Sequence, residues 1–382
     1  MVTKNWSPEL EGLRGIAALW VLLGHIAILV GFQFPILSEP HFGVDLFILL
    51  SGYLMTHNYL LRRDKEPWEK PSTILTFWMR RFFRIAPLYY MLLIVALLLG
   101  PWIGTWRDII AVHLPQTDTT DARYNDQSIF NALTHFSFLF GLSPYYSFST
   151  ALPDWSIGLE MQYYALFPFL MLLIYKLRFS IVFVLVGLIM FSVAKFIAPE
   201  YIKSFEMPAM ILLKINTFIA GMAIAFSVAK KKLFYSLIAV LSTFLILGID
   251  PDYSKRKLLG ELILTLGFAI LMWPGKIVFF HRIIESGRKF LSWRPVTFFG
   301  DVSYSVYLVH LLVIIPLIGY GFLELSMMNI LPIFRFFIIT TASLLICYPM
   351  GYLLFKFIEK PGIKFGKSII SRSMATTQPV KT

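Results

Sequence analysis

The chain has 382 residues, of which 57% are hydrophobic and only 15% charged, against roughly 25% charged in a soluble domain. A water-soluble fold of that balance would expose apolar patches large enough to aggregate, so the composition excludes a string of soluble domains and points to one polytopic membrane unit. The net charge of +12 would suggest nucleic acid in a soluble protein, but its distribution argues against that here: Lys and Arg gather between apolar blocks, as the positive-inside rule requires, with no basic stripe of interleaved exposed aromatics.

In chain order, apolar blocks of about twenty residues, the length of a spanning helix, fall near 15–32, 42–61, 85–100, 157–175, 180–198, 208–229, 233–249, 258–273, 302–321 and 332–356. They predict an all-α, polytopic transmembrane helical bundle of about ten spans. Glu9 and Glu11 precede the first block and no small-residue cleavage site closes it, so it reads as a retained span and not a secretory signal. The apolar stretch 130–142 is too short to cross a bilayer and predicts a non-spanning element inside a long outer loop, 101–156. With that stretch not crossing, a cytoplasmic N-terminus puts the basic cluster from Arg62 to Arg84, the run Lys230-Lys231-Lys232 and the basic residues between Lys276 and Arg294 on the cytoplasmic side. Letting it cross would invert the last two, so both termini are expected in the cytoplasm. Only Lys255-Arg256-Lys257 goes against the rule. The expected organisation is one membrane domain over 1–370 and a loose polar tail over 371–382, with no internal repeat of the kind inverted-repeat transporters often show. The aromatic and Pro content near 142–155 argues that the outer loop is ordered. The single cysteine, Cys347, is read as an inert packed thiol that offers neither a disulfide nor a thiolate metal site.

Ionisable groups within spans are expensive and each is a candidate functional residue. In "LRGIAALWVLLGH", Arg14 and His25 are eleven residues apart, which brings them within about 20° of one helical face with a rise of roughly 16 Å. Arg14 then lies at the membrane boundary and His25 near mid-membrane, on one shared passage. Arg14 is also what a plain topology anchor looks like, and His25 could be a packing histidine bonded to a neighbour. Imidazole is nonetheless the usual base for a hydroxyl proton. The loop carrying "FWMRRFFRIAPLYY" supplies Arg80, Arg81 and Arg84 before the third span. These are either anchors or a clamp for an anionic, phosphate-bearing donor, for which the planar guanidinium is suited. "GVDLFILLSGYL" and "DWSIGLEMQYY" place Asp45, Asp154, Trp155 and Glu160 near the outer ends of the second and fourth spans. The carboxylates either orient His25, bind an acceptor sugar, or pair with Lys214 or Arg335. "DVSYSVYLVH" places Ser303, Tyr304, Tyr307 and His310 in the ninth span, where Tyr and Ser also commonly bond across helices. There is no HExxH pair, G-x-S-x-G elbow or Walker lysine loop, and no metal site is expected.

Taken together, "LEGLRGIAALWVLLGH", "FGVDLFILLSGYLM", "RRFFRIAPLYY", "LPDWSIGLEMQYYALFP" and "SYSVYLVH", in that order over about residues 7–360, resemble the acyltransferase 3 family, the bacterial multi-spanning O-acetyltransferases of surface polysaccharides. The resemblance implies a ten-span domain in the bacterial inner (plasma) membrane that uses cytosolic acyl-CoA, usually acetyl-CoA, as donor substrate, with no permanently bound cofactor. It implies that Arg14 and His25 form the family's Arg-ten-residues-His motif, with His25 catalytic, and that Arg81 and Arg84 form its Arg-x-x-Arg motif. Glu160 falls where the family often has two adjacent glutamates, the second being Met161 here. Many relatives carry a C-terminal serine-esterase-like domain; none is expected here, so a separate extracytoplasmic transferase is a candidate partner.

These readings combine into one expectation. Arg14, Arg81 and Arg84 bind the phosphates of acyl-CoA, His25 acts as general base or acyl carrier, and Arg14 and Glu160 assist catalysis. Asp45, Asp154, Trp155 and Tyr304 bind the acceptor, a hydroxyl of a cell-surface glycan such as O-antigen (lipopolysaccharide), exopolysaccharide or another lipid-linked saccharide. The rivals are a proton-coupled exporter of glycan precursors with no covalent chemistry, and a structural subunit of an envelope assembly.

Overall fold

The computed structural model describes residues 7–250, 253–274 and 281–376. Lys4, Lys276 and the last six residues of the predicted tail lie outside them. Among the described residues there is no strand. The helices are α1 (Pro8–Leu29), α2 (His41–Arg62), α3 (Pro71–His113), α4 (Ala122–Asn125), α5 (Ile129–Phe136), α6 (Trp155–Leu177), α7 (Phe179–Ser192), α8 (Pro199–Lys203) and α9 (Ile215–Lys230). They continue with α10 (Leu233–Thr243), α11 (Ile246–Ile249), α12 (Lys255–Met272), α13 (His281–Leu291), α14 (Arg294–Asp301), α15 (Ser303–Leu323), α16 (Pro332–Leu354) and α17 (Lys360–Thr376).

The chain is a polytopic helical membrane protein. Among the described residues, six helical stretches are long and apolar enough to cross a bilayer: Pro8–Leu29, Pro71–His113, Trp155–Leu177, Phe179–Ile197, Ser303–Leu323 and Pro332–Arg372. The other four expected spans are helical but fall short for identifiable reasons. Helix α2 has 22 residues but carries Asp45, Ser51, Thr56, His57 and Asn58. Helices α9 and α10 have 16 and 11 residues, and α12 opens with three basic residues and contains Glu261.

Three boundaries differ from expectation. Arg80, Arg81 and Arg84 are not in a loop: Pro71 starts a 43-residue helix that runs through Pro87 and Pro101 to His113. The outer loop therefore begins near residue 114, and it is ordered, with α4, α5 and short 3-10 turns. The stretch 130–142 contains only the eight-residue α5 and the 3-10 turn Leu139–Leu142, consistent with a non-spanning element. At the other end, α16 does not stop near 356. A single π-helical turn, Phe355–Glu359, carries it into α17, so the expected loose tail is helical as far as Thr376.

Helix α1 lies inside the bundle, packed on α2, α13, α14, α15 and α16. Two pairs of glycines permit close backbone approaches. An added Cβ at Gly15 would meet Gly300, and one at Gly300 would meet the Glu11 carbonyl, so α1 and α14 touch backbone to backbone. Gly52 and Gly221 do the same for α2 and α9 against the Phe218 and Leu49 carbonyls. Such contacts between small residues are how helices associate where lipid removes the hydrophobic driving force. Away from this core, Leu98, Phe196, Ile197 and Leu345 are largely exposed, the apolar surface a bilayer would cover.

Candidate active site: two cavities meeting beside the first helix

Helix α1 presents Arg14 and His25 to different spaces. Arg14 borders a cavity of about 260 Å³ whose walls include Arg81 and Arg84 from α3, Glu160 and Tyr164 from α6, and Tyr304 and Tyr307 from α15. His25 borders a second cavity of about 390 Å³ with Arg107, Arg123, Phe148, Trp155 and Tyr307. Val44 and Tyr307 line both. The single passage expected from the shared helical face is thus two chambers that abut across these two side chains. An aliphatic and an aromatic group divide them because α2 and α15 both cross beside α1 at this level.

In the Arg14 cavity the three cations are held in unequal ways. Arg14 Nη1 lies 3.3 Å from Glu11 Oε2, one turn earlier on the same helix. Arg81 lies over the Tyr164 ring at 5.2 Å and the Phe77 ring at 5.6 Å. Neither Arg81 nor Arg84 has a carboxylate within ion-pair distance among the described residues, whereas Arg80 is bound bidentately by Glu66 at 2.9 and 3.0 Å. That pairing occupies Arg80 and holds the Glu66 carboxyl below its usual range. Tyr164 donates its hydroxyl to Glu160, and Tyr304 donates to the Ile85 carbonyl at 2.9 Å. A further cavity of about 280 Å³, lined by Arg62, Arg80, Arg81, Arg84 and Lys367, continues from the same arginines. Two guanidiniums without a carboxylate partner thus border contiguous cavities, and a guanidinium can pair with phosphate in a planar, bidentate manner.

At the other chamber the hydrogen bonds determine the state of His25. His310 Nδ1 lies 2.6 Å from the Tyr307 carbonyl oxygen, which can only accept, so Nδ1 carries the hydrogen. In neutral His310 the Nε2 atom then bears a lone pair, and it faces His25 Nδ1 at 3.1 Å. His25 Nδ1 also faces the Val21 carbonyl at 2.9 Å, so it is the protonated nitrogen of that ring. The remaining lone pair of His25 is on Nε2, the arrangement a general base requires. Tyr307 is fixed in the same way: its hydroxyl donates to the Pro153 carbonyl at 2.7 Å, so Ser156, at 2.6 Å, is the donor to the Tyr307 oxygen.

Of the residues singled out in the sequence, Arg14, Arg81, Arg84, Glu160 and Tyr304 come together in one cavity, and His25 and Trp155 in the other. Asp45 and Asp154 line neither. Asp45 is 2.7 Å from Lys214, which also pairs with Glu261 at 2.9 Å, a buried triad joining α2, the start of α9 and α12. Asp154 accepts from Thr150 at 2.9 Å and Tyr89 at 3.2 Å and lies 3.6 Å from His135 Nε2. Both carboxylates are engaged by groups of the fold, as buried charges must be, and neither borders the two cavities. His310, Arg107 and Arg123 were not assigned a role from the sequence. His310 stood out only as one more polar group in its span, and Arg123 lies in a loop whose path no periodicity predicts.

These features define a membrane-embedded helical protein with an arginine-lined cavity at one end of α1 and a histidine chamber at the other. The chain belongs to the acyltransferase 3 family, whose sequence model, described as an acyltransferase domain, matches residues 7–352. It is similar to the peptidoglycan O-acetyltransferase OatA of Listeria monocytogenes, 25% identical over 95% of this chain and 57% of that protein. It is also similar to the O-acetyltransferase OatA of Staphylococcus aureus, 25% identical over 96% of this chain and 58% of the relative. A putative O-acetyltransferase of Staphylococcus aureus is 30% identical over 49% of this chain and 29% of its own length. The chain spans somewhat over half the length of the first two relatives. No solved structure matches it.

Proposed function

We propose that the protein is a membrane O-acyltransferase that moves an acyl group, acetyl in the first instance, from a CoA thioester to a hydroxyl of a cell-surface glycan. One observation carries this reading: a cavity walled by unpaired arginines abuts, across Val44 and Tyr307, a chamber where His25 holds a free Nε2 lone pair. Arg81, Arg84 and Arg14 take the phosphates of the donor, and the pantetheine arm passes between Val44 and Tyr307. His25 Nε2 removes the proton of the acceptor hydroxyl as its oxygen attacks the thioester carbonyl. The C–O bond forms, the C–S bond breaks, and the proton held by His25 passes to the departing thiolate. His310 and Val21 position the imidazole; Glu160 holds Tyr164 in the donor cavity.

The named activity of the relatives and the family membership support the reaction class. The relative from Listeria is named for peptidoglycan, and peptidoglycan joins O-antigen, exopolysaccharide and lipid-linked saccharides as acceptor classes to be tried. The acylated product is the final glycan or the substrate of a separate extracytoplasmic transferase. The charge distribution favours the donor cavity on the cytoplasmic side of a bacterial inner membrane, with ten crossings and both termini inside.

Proteoliposomes containing the full chain, given acetyl-CoA labelled in the acyl group and a saccharide acceptor, test the proposal. Label covalently attached to saccharide by the wild type and lost in His25→Ala supports it. Saccharide moved across the bilayer without covalent label would identify an exporter instead.

A further inference from the structure

The chamber that contains His25 also contains two cations that the acyl-transfer reading leaves unused. Arg107, on α3, and Arg123, on α4, are 9% and 7% exposed, and both line the chamber. Arg107 Nη2 donates to the Thr117 carbonyl, but its Nε has no partner. The Arg123 side chain makes no hydrogen bond and no ion pair among the described residues. Its guanidinium lies 3.7 Å from the centre of the Phe148 ring, and its Nε is likewise unpartnered.

Among the described residues, the carboxylates bordering the chamber form no ion pair with either arginine. Glu39 is drawn to His41 at 3.3 Å and to Arg256 at 3.7 Å. Asp118 and Glu206 are exposed, and Asp118 accepts from the Thr119 amide. Two buried guanidiniums with idle donors are costly unless an anion completes them. Phe148 stacks on Arg123, and the Thr117 carbonyl holds Arg107, so both forks are oriented before any ligand arrives.

We infer that the His25 chamber selects an acceptor bearing an oxyanion, a saccharide carboxylate or phosphate, which Arg107 and Arg123 receive so that a neighbouring hydroxyl is presented to His25. The inference rests on the reading of His25 as the acceptor-side base. It makes the two ends of the protein alike in principle, with Arg14, Arg81 and Arg84 for the phosphates of the donor and Arg107 and Arg123 for the charge of the acceptor.

Ligand-observed saturation-transfer NMR on the purified full chain in detergent micelles tests this without requiring turnover. The probes are methyl β-D-glucuronide, its methyl ester, and glucose 1-phosphate. The acid should bind at least about tenfold more tightly than the ester, as expected for one charge-assisted bond to arginine. Arg123→Gln and Arg107→Gln should each close that gap, while Arg123→Lys keeps part of it. Tighter binding of glucose 1-phosphate than of the glucuronide assigns the anion to a phosphate; the reverse assigns it to a carboxylate. Equal binding of acid and ester by the wild type, binding of neither, or an unchanged gap in Arg123→Gln overturns the inference. An acid-selective chamber in a protein that transfers no label would leave this inference standing and remove the catalytic one. Label transfer to neutral and charged acceptors alike would do the opposite.

Discussion

Replacing His310 by alanine separates a positioning role from a chemical one. The substitution removes the 3.1 Å contact to His25 Nδ1 but leaves the 2.9 Å contact to the Val21 carbonyl, so the tautomer with a free Nε2 persists. One intramolecular hydrogen bond contributes about 0.5–1.5 kcal/mol, which corresponds to a loss of roughly two- to twelvefold in kcat. Removing a general base outright costs about 10²–10⁴, so His25→Ala should lie at least an order of magnitude below His310→Ala. The donor cavity contains neither histidine, so the KM for acetyl-CoA should be unchanged in both variants. Steady-state kinetics in detergent, with acetyl-CoA varied at saturating acceptor, measures both parameters. Transfer in His310→Ala as low as in His25→Ala would refute the assigned roles, because His310 would then take part in the proton transfer itself. Unaltered transfer would mean that the imidazole pair has no part in holding His25.

Further expectations concern the donor cavity and the buried charges. Arg81→Ala and Arg84→Ala should each raise the KM for acetyl-CoA by about tenfold or more, the magnitude of a charge-assisted bond to phosphate, with the smaller effect on kcat; unchanged binding of acetyl-CoA by calorimetry in the double variant would reduce them to anchors. Lys214→Met leaves Asp45 and Glu261 buried without their cation and should destabilise the fold by about 3–5 kcal/mol, seen as a lower melting midpoint in detergent. The triple change to Lys214→Met, Asp45→Asn and Glu261→Gln should recover part of that loss; if it recovers none, the triad does not act as a charge-balanced unit.

Composition and hydropathy sufficed for the helical membrane class because the bilayer leaves few other options for a chain this apolar. Arg14 and His25 were legible as one helical face from their spacing alone, but which cavity each opens into depends on where α2 and α15 cross α1, and no local pattern encodes that crossing. The arginines at 80–84 carried a recognisable motif, yet Arg80 is removed from the site by Glu66, fourteen positions earlier. Asp45 illustrates the same limit: an intramembrane carboxylate signals either function or a paired charge, and only the approach of Lys214, 169 residues away, decides for the latter. The boundary differences at α3 involve prolines. Pro71 opens α3 at its first turn, and Pro87 and Pro101 are accommodated inside it.

The junction at Val44 offers the most direct test of the proposal that donor and acceptor meet between two chambers. Val44→Trp should close the contact while leaving both arginine sites intact, and Val44→Ala should widen it. Transfer abolished in Val44→Trp, where the phosphates still bind but the pantetheine arm no longer passes, and retained in Val44→Ala, is the predicted result. Wild-type transfer by a correctly folded Val44→Trp protein would contradict it, since the acyl group would then reach the acceptor by another route.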